Sequence, residues 1–253
     1  MIPPPRVYAH RFGGAYGPEG SRAALEGSLA GPVDGFEADI VLTADEEVVA
    51  CHDPLLDVST ADLHGWAYET TAEALTAGHL LDESGESSDQ RPLLLHEVLD
   101  AIPAELPLQL DVKAYGDPVL AHRTAQRCCE IADERGRLDQ IEVISFFTPA
   151  CDAAVESGVD SRLVIWADYD PAALTRWTVA RGIKGLAVEG FILGPELCEA
   201  AREAELTISV GAVNTVEQLQ ALLPLEPEIL VSDSPHALLD LVDRLLGPKV
   251  TSP

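Results

Sequence analysis

Short apolar runs, many of them β-branched, alternate along the chain with segments in which apolar residues recur every three or four positions. From Leu106 onward the apolar runs are LPLQLDVK, IEVISFF, SRLVIWA, GLAVEG, LTISVGAV and EILVSD, with helical segments between them. A short apolar run followed by a helical pattern predicts a βα unit. Repetition of this unit predicts a parallel sheet with helices packed on it.

The segment from Asp34 to Asp53 departs from this alternation, because two strand-like runs follow each other without a helix. The turn between them has only about four residues, whereas a parallel crossover needs about a dozen or more. We therefore predict an antiparallel hairpin. Nine strand-like runs can be counted in all. Without the return arm of the hairpin about eight remain, the number that closes a (β/α)8 TIM barrel.

An open, doubly wound α/β sheet is the competing architecture. The chain has no GxGxxG after its first strand-like run and no P-loop to favour that alternative. We find no second domain, internal repeat or linker in the sequence. The whole chain, residues 1–253, is therefore predicted to form a single domain.

Residues 54–92 lose the regular alternation seen in the rest of the chain. The first half of this stretch is compatible with a short helix, and DESGESSDQ is polar and loop-like. We interpret the stretch as a small insertion after the hairpin of the second strand. Insertions of this kind often cover an active site. Its apolar residues could form a lid or a dimer contact, and the sequence leaves the oligomeric state open.

The formal charge of the chain is −27, from 43 acidic and 16 basic residues. Such a surface repels nucleic acid and anionic membranes, so neither is expected as a partner. The simplest meaning of the charge is solubility. An anionic substrate would require that the field be reversed locally by a cation and a few arginine or lysine residues.

The five cysteines are odd in number and form no CxxC pair, which favours free thiols over a zinc site or a disulfide framework. The N-terminal sequence MIPPPRVYAHR contains no apolar signal run. No stretch is long and apolar enough for stable membrane insertion. We therefore expect a cytoplasmic protein.

Two carboxylates, Glu37 and Asp39, lie two residues apart in the first arm of the predicted hairpin. Side chains at positions i and i+2 of a strand point to the same face, so these carboxylates should repel each other unless a positive group lies between them. The return arm ends on His52, which the hairpin brings back to the same level. Two carboxylates and an imidazole at the end of a strand pair indicate a hydrolytic metal site.

Further polar residues follow other predicted strands, and the active site of a (β/α)8 barrel lies at the C-terminal ends of its strands. The candidates there are His10, Arg11, Glu37, Asp39, His52, Asp111 and Lys113. Carboxylate ligands favour hard cations such as Mg²⁺ or Ca²⁺ over zinc. Arg11 and Lys113 suit an anionic oxygen such as that of phosphate. Two histidines can supply an acid and a base, so the set predicts metal-assisted phosphodiester cleavage.

Structural explanations are also open for these residues. Taken alone, Glu37 and Asp39 could be an exposed polar strand end. Arg11 could pair with Glu19, and Lys113 could pair with Asp111, without any contact to a substrate.

At this point the sequence resembles the glycerophosphodiester phosphodiesterases. That family carries HRG, PEN, ExD, HD and ExK in this order, and the corresponding positions here read His10-Arg11-Phe12, Pro18-Glu19-Gly20, Glu37-Ala38-Asp39, His52-Asp53 and Asp111-Val112-Lys113. Weaker echoes follow at Ser145-Phe146, at Val213-Asn214 and in Val231-Ser232-Asp233-Ser234-Pro235. The resemblance covers nearly the whole chain.

The resemblance implies a (β/α)8 barrel and a role for each matched residue. Glu37, Asp39 and Asp111 would bind the divalent cation, Mg²⁺ or Ca²⁺. His10 and His52 would be the acid–base pair, and Arg11 and Lys113 would contact the phosphate. Glu19 would orient Arg11 or a neighbour. The product would be an alcohol and a phosphomonoester such as glycerol 3-phosphate.

The chain also departs from the family pattern. Asp111 stands where the family usually has Glu, Gly20 replaces the Asn of PEN, and Gly211 to Asn214 lack the usual tryptophan. Loss of that aromatic wall would enlarge the pocket and could change the leaving alcohol. Two alternatives remain open: a lyase that releases a cyclic phosphate, like the phospholipase D-type toxins, and a non-catalytic ligand-binding barrel.

Overall fold

Eight parallel strands close into a barrel in the computed structural model, which describes residues 3–247. With one additional antiparallel strand, β3, the strands are β1 (Arg6–Ala9), β2 (Gly35–Leu42), β3 (Val48–Ala50), β4 (Leu108–Val112), β5 (Ile141–Ser145), β6 (Ser161–Ile165), β7 (Gly185–Glu189), β8 (Thr207–Gly211) and β9 (Ile229–Ser232). Closure follows from β1, which pairs in parallel with both β2 and β9. The predicted (β/α)8 TIM barrel is confirmed.

The ninth strand, β3, is the return arm of the predicted hairpin. It runs antiparallel to β2, with Val41 opposite Val49 and Ile40 opposite Ala50. All eight residues of β2 are buried, because the barrel interior lies on one face and packed elements on the other. The backbone N–H of Cys51 donates to the carbonyl of Asp39 over 3.0 Å. The hairpin therefore returns the chain to the level of Asp39 just before His52.

The helices follow the strands as the sequence pattern predicts. They are α1 (Arg22–Leu29), α2 (Leu56–Ser59), α3 (Ala72–Ala77), α4 (Leu95–Ala101), α5 (Pro118–Glu134), α6 (Thr148–Glu156), α7 (Pro171–Ala180), α8 (Pro195–Glu203), α9 (Val216–Leu222) and α10 (Pro235–Leu246). The side chains of Asp117, Asp170 and Thr215 accept backbone N–H groups at the starts of α5, α7 and α9, as N-caps do. No helix within residues 3–247 is long and apolar enough to cross a membrane.

The insertion at residues 54–92 is irregular, as expected, but contains two short helices, α2 and α3, where the sequence suggested one. Isolated bridges join Thr60 to Leu80 and Leu81 to Ser87. Leu56 and Leu75 of the insertion are fully buried with Val49 of β3 in a small apolar cluster. The insertion is therefore anchored to the hairpin.

A group of polar residues lies within the barrel near the N-terminal ends of its strands, with Gln109 and Arg162 buried and the Glu142 side chain 16% exposed. Gln109, Glu142 and Arg162, called the lower cluster below, each occupy the second position of β4, β5 or β6. Gln109 donates to Glu142 Oε2 over 2.8 Å, and Arg162 Nε lies 2.8 Å from Glu142 Oε1. Gly185 makes room for the guanidinium, since a Cβ there would lie 2.5 Å from Arg162 Nη1.

Candidate active site

Three carboxylates meet near the C-terminal ends of β2 and β4, and we call Glu37, Asp39 and Asp111 the acidic triad. Asp39 and Asp111 are direct partners in the β2–β4 register. One carboxylate oxygen of each residue lies within 4.8 Å of the others. The three residues are only 3%, 6% and 7% exposed, respectively. The exposed strand end that was the alternative explanation for Glu37 and Asp39 is therefore wrong.

Burial and mutual repulsion set the protonation of the acidic triad. Burial, and then the neighbouring charge of Asp39, raise the pKa of Glu37 to about 7. Burial would also raise the pKa of Asp39, but Lys113 and Arg11 outweigh it and hold that pKa near 2. Burial raises the pKa of Asp111 although Lys113 opposes the shift. Three carboxylates so close together favour a positive charge between them.

Lys113 supplies one positive charge beside the triad. Its Nζ donates to Asp111 Oδ2 over 2.6 Å and lies 2.9 Å from Asp39 Oδ1. The ring of Phe146 lies 5.4 Å from the same nitrogen. The pairing with Asp111 that the sequence allowed is thus present, and it places the ammonium next to the triad.

Arg11 supplies the second positive charge from a tight turn after β1. Its backbone is left-handed, with φ of 50°, and its N–H donates to Glu37 Oε2 over 2.9 Å. Its Nη1 donates to Glu19 over 2.6 Å, so the pairing that the sequence allowed is present. Its Nε lies 2.9 Å from Asp39 Oδ2, although the two are not aligned as a hydrogen bond. The acidic triad with Arg11 and Lys113 is called the upper cluster below.

His10 lies between the triad and a carboxylate to which the sequence analysis assigned no role. Its Nδ1 lies 2.7 Å from Asp233 Oδ1, and its Nε2 lies 3.9 Å from Glu37 Oε2. Burial would lower the pKa of His10, but the hydrogen bond to Asp233 and the charge of Glu37 raise it. Asn214 holds Asp233 in turn, accepting its backbone N–H over 2.9 Å. The only signals in the sequence were the weak echoes at Val213-Asn214 and around Asp233.

His52 has a similar arrangement directly after β3. Its Nδ1 lies 2.8 Å from Asp53 Oδ2, and Ser59 donates its hydroxyl to the same oxygen at 3.5 Å. The pKa values of both Asp53 and Asp233 are lowered. For Asp53 the hydrogen bond with His52 is the main cause. For Asp233 burial would raise the pKa, but the hydrogen bond and charge of His10, together with the hydrogen bond from Asn214, lower it. An ionised carboxylate only accepts, so Nδ1 carries a proton in each histidine and Nε2 is available for proton transfer.

The acidic triad could bind a metal ion. Its donors are carboxylate oxygens, the ligands that hard divalent cations prefer. Asp39 Oδ2 and Asp111 Oδ1 are buried and have no hydrogen-bond partner among the described residues. Buried polar atoms are normally satisfied, and a cation at the triad would satisfy both. The residues present therefore fit a divalent cation.

A cavity of about 600 Å³ is lined by His52 and by Asp233, the carboxylate that contacts His10. Its lining also includes Asp53 and Asn214, and Leu80 to Glu83 of the insertion. The insertion therefore borders a cavity next to the candidate site. The volume is that of a pocket for a small molecule.

Comparison with known proteins gives a consistent assignment over most of the chain. The model of the glycerophosphoryl diester phosphodiesterase family matches residues 10–237. A glycerophosphodiester phosphodiesterase of Caldanaerobacter subterraneus is 23% identical over 241 residues, covering 94% of this chain and 98% of the relative.

Solved structures show the same fold at low identity. A phosphodiesterase of Oleispira antarctica, determined with its product sn-glycerol-3-phosphate, superposes with a TM-score of 0.83 at 19% identity, covering 95% of this chain and 97% of that chain. A glycerophosphodiester phosphodiesterase of Thermotoga maritima superposes with a TM-score of 0.75 at 19% identity, covering 94% and 98%.

Proposed function

The chain belongs to the glycerophosphoryl diester phosphodiesterase family, and we propose that it hydrolyses glycerophosphodiesters, or a related small phosphodiester, to an alcohol and a phosphomonoester such as glycerol 3-phosphate. One observation carries the proposal. His10 and His52, each held by a carboxylate at Nδ1, lie beside a buried acidic triad at the mouth of the barrel. This is the arrangement that acid–base displacement at a metal-bound phosphoryl group requires.

Glu37, Asp39 and Asp111 would hold the divalent cation, and the all-oxygen donor set favours Mg²⁺ or Ca²⁺. When bound, the cation would neutralise the anionic substrate and lower the pKa of the attacking oxygen. Arg11 and Lys113 lie beside two triad carboxylates, where they would contact the phosphate oxygens. Their fixed hydrogen bonds to Glu19 and Asp111 orient both cations before substrate arrives.

The histidines would share the proton transfers. One Nε2 would take the proton from the attacking oxygen, and the other would donate a proton to the leaving alcohol. Asp53 and Asp233 would keep the Nδ1 proton in place and stabilise the imidazolium that forms. The attacking oxygen would be water in hydrolysis, or a neighbouring hydroxyl of the substrate in a cyclising lyase.

The product bound to the Oleispira antarctica phosphodiesterase supports glycerol 3-phosphate as the phosphomonoester. The test is cleavage of an aryl phosphodiester and of glycerophosphocholine, each with EDTA, Mg²⁺ or Ca²⁺, by the native chain and by Glu37→Ala. We expect metal-dependent cleavage of both substrates by the native chain alone. Phosphorus NMR would distinguish a phosphomonoester from a cyclic phosphate. Cleavage that continues in EDTA would contradict the proposed role of the triad.

A further inference from the structure

The cavity beside the histidines is the space into which one substituent of the phosphodiester must extend. His52 and Asp233 lie in its wall, and Asp233 contacts His10 over 2.7 Å. A phosphoryl group between the two histidines would therefore have one of its alcohol substituents in this cavity. The other residues that line this cavity determine which substituent fits.

The lining of this cavity is strongly acidic. Its carboxylates are Glu19, Asp53, Asp82, Glu83 and Asp233. Among the described residues that line it there is no lysine or arginine. Three of these carboxylates are already engaged, Glu19 with Arg11 and the two aspartates with the histidines. The insertion contributes the remaining two.

Neither of the insertion carboxylates has a cationic partner in the part of the chain that the structure describes. Asp82 Oδ1 accepts the backbone N–H groups of Ser84 and Glu86 and the hydroxyl of Ser84. These bonds lower the pKa of Asp82 and keep it ionised. The side chain of Glu83 makes no hydrogen bond or ion pair within residues 3–247. A substituent with a positive charge would be attracted to this wall, and a neutral or anionic one would not.

The other residues that line the cavity indicate which kind of ammonium group it favours. A quaternary ammonium group has no N–H donor and is typically held by aromatic rings. No phenylalanine, tyrosine or tryptophan is found among the described lining residues, which include the aliphatic Val58, Leu80 and Leu81. A primary ammonium group has three donors that carboxylates can accept. The lining thus favours a primary over a quaternary ammonium.

We propose that the substituent bound in this cavity is an amino alcohol with a primary ammonium group, of the ethanolamine type. The inference rests on the proposed phosphodiesterase function and specifies the substrate of that same site. Asp82 and Glu83 would select the ammonium, while the upper cluster and the histidines would act on the phosphoryl group.

The experiment compares kcat/KM for glycerophosphoethanolamine, glycerophosphocholine and glycerophosphoglycerol, with an aryl phosphodiester as a probe of the chemistry alone. We expect glycerophosphoethanolamine to exceed each of the other two glycerol diesters about tenfold, the scale of one or two hydrogen bonds between charged groups. The preference over glycerophosphoglycerol, whose alcohol substituent is uncharged, should shrink at high ionic strength, because salt screens exposed charges.

The variant that tests the wall is Glu83→Gln, and its matched control is Glu86→Gln. Glu86 belongs to the same exposed segment but does not line the cavity. In Glu83→Gln, the loss of one exposed charge should lower kcat/KM for glycerophosphoethanolamine relative to that for glycerophosphoglycerol about threefold. The ratio should stay unchanged in Glu86→Gln.

Two results would overturn the inference, and they differ in what they imply for the proposed function. Cleavage of the aryl diester with equal kcat/KM for all three glycerol diesters would refute the ammonium preference and leave the phosphodiesterase function intact. A preference that Glu83→Gln does not reduce would refute the role of the insertion wall. Absence of cleavage of all four compounds would refute both proposals.

Discussion

Two clusters of charge are buried in the same barrel, and they are built differently. The lower cluster pairs one carboxylate, Glu142, with one guanidinium, Arg162, and adds the amide of Gln109. The upper cluster sets three buried carboxylates against two cations, Arg11 and Lys113. The lower cluster is therefore balanced by its own residues, whereas the upper cluster has an excess negative charge that a further cation would neutralise.

The backbone shows the same contrast. The residues of the lower cluster lie in regular strands. The upper cluster depends on a turn in which Arg11 and Phe12 are both left-handed, with φ of 50° and 68°. Left-handed backbone at residues other than glycine is unfavourable and persists only where the surroundings enforce it. We infer that the lower cluster contributes to stability and that the upper cluster is maintained for function.

The largest expected effect is on turnover, through the histidines that flank the upper cluster. His10→Ala and His52→Ala should each lower kcat about 10²–10⁴-fold, because each removes one proton-transfer group. Metal binding and thermal stability should remain near native values. His64→Ala is a suitable control, because His64 is exposed and its ring pairs with Asp57 at the surface of the insertion. Full activity in both active-site variants would rule out the histidine pair.

The next largest expected effect is on the free energy of unfolding, and it comes from a change in the lower cluster. Arg162→Met should lower the free energy of unfolding by about 3–5 kcal/mol, because it leaves Glu142 buried without a cation. Urea denaturation measures this loss. Arg202→Met, which removes an exposed ion pair with Glu226, should change the free energy by less than about 1 kcal/mol. Equal losses in the two variants would mean that the lower cluster has no special structural role.

A divalent cation that binds at the upper cluster should stabilise the folded protein. The lower cluster should take no part in this effect. At a free concentration about 100 times Kd, Mg²⁺ or Ca²⁺ should raise the free energy of unfolding by about 2.7 kcal/mol. A thermal melt with and without the ion would show the shift. Asp39→Asn should abolish it, and a shift of native size in that variant would place the ion elsewhere.

The smallest expected effect concerns pH in the metal-free protein. The pKa of Glu37 rises from 4.5 to about 7 on folding. Between these pH values the folded state therefore keeps a proton on Glu37 that the unfolded state has lost. The contribution of Glu37 to stability should therefore be greatest below pH 4.5 and should fall as the pH rises toward 7. The raised pKa of His10 acts in the same direction.

In EDTA at pH 8, Glu37→Gln should therefore be more stable than the native chain by about 1–3 kcal/mol. Urea denaturation across this pH range gives the measurement. A native chain whose stability rises with pH from 5 to 8 would contradict the predicted repulsion within the triad.

The sequence was informative about the fold and about which residues meet at the candidate site for a physical reason. Strand and helix periods are local properties, and in a barrel the C-terminal ends of parallel strands meet at one mouth. Those two facts were sufficient to bring residues as distant as His10, Asp39 and Lys113 together.

The remaining features depend on contacts that no local pattern encodes. Asp233 was recognisable only as a weak echo, because its contact with His10 joins residues 223 positions apart. Arg162 and Glu142 look like ordinary polar positions of a strand, and only closure of the barrel turns them inward. The acidic wall at Glu83 could not be located, since the path of an irregular insertion follows from tertiary packing.

The most direct test of the account is a calorimetric titration of metal into the metal-free protein, with hydrolysis of a glycerophosphodiester followed on the same samples. We predict that binding at the acidic triad and the appearance of activity rise together, and that Asp39→Asn loses both. Full hydrolysis in EDTA, or native binding in Asp39→Asn, would contradict the claim that the upper cluster is a catalytic metal site.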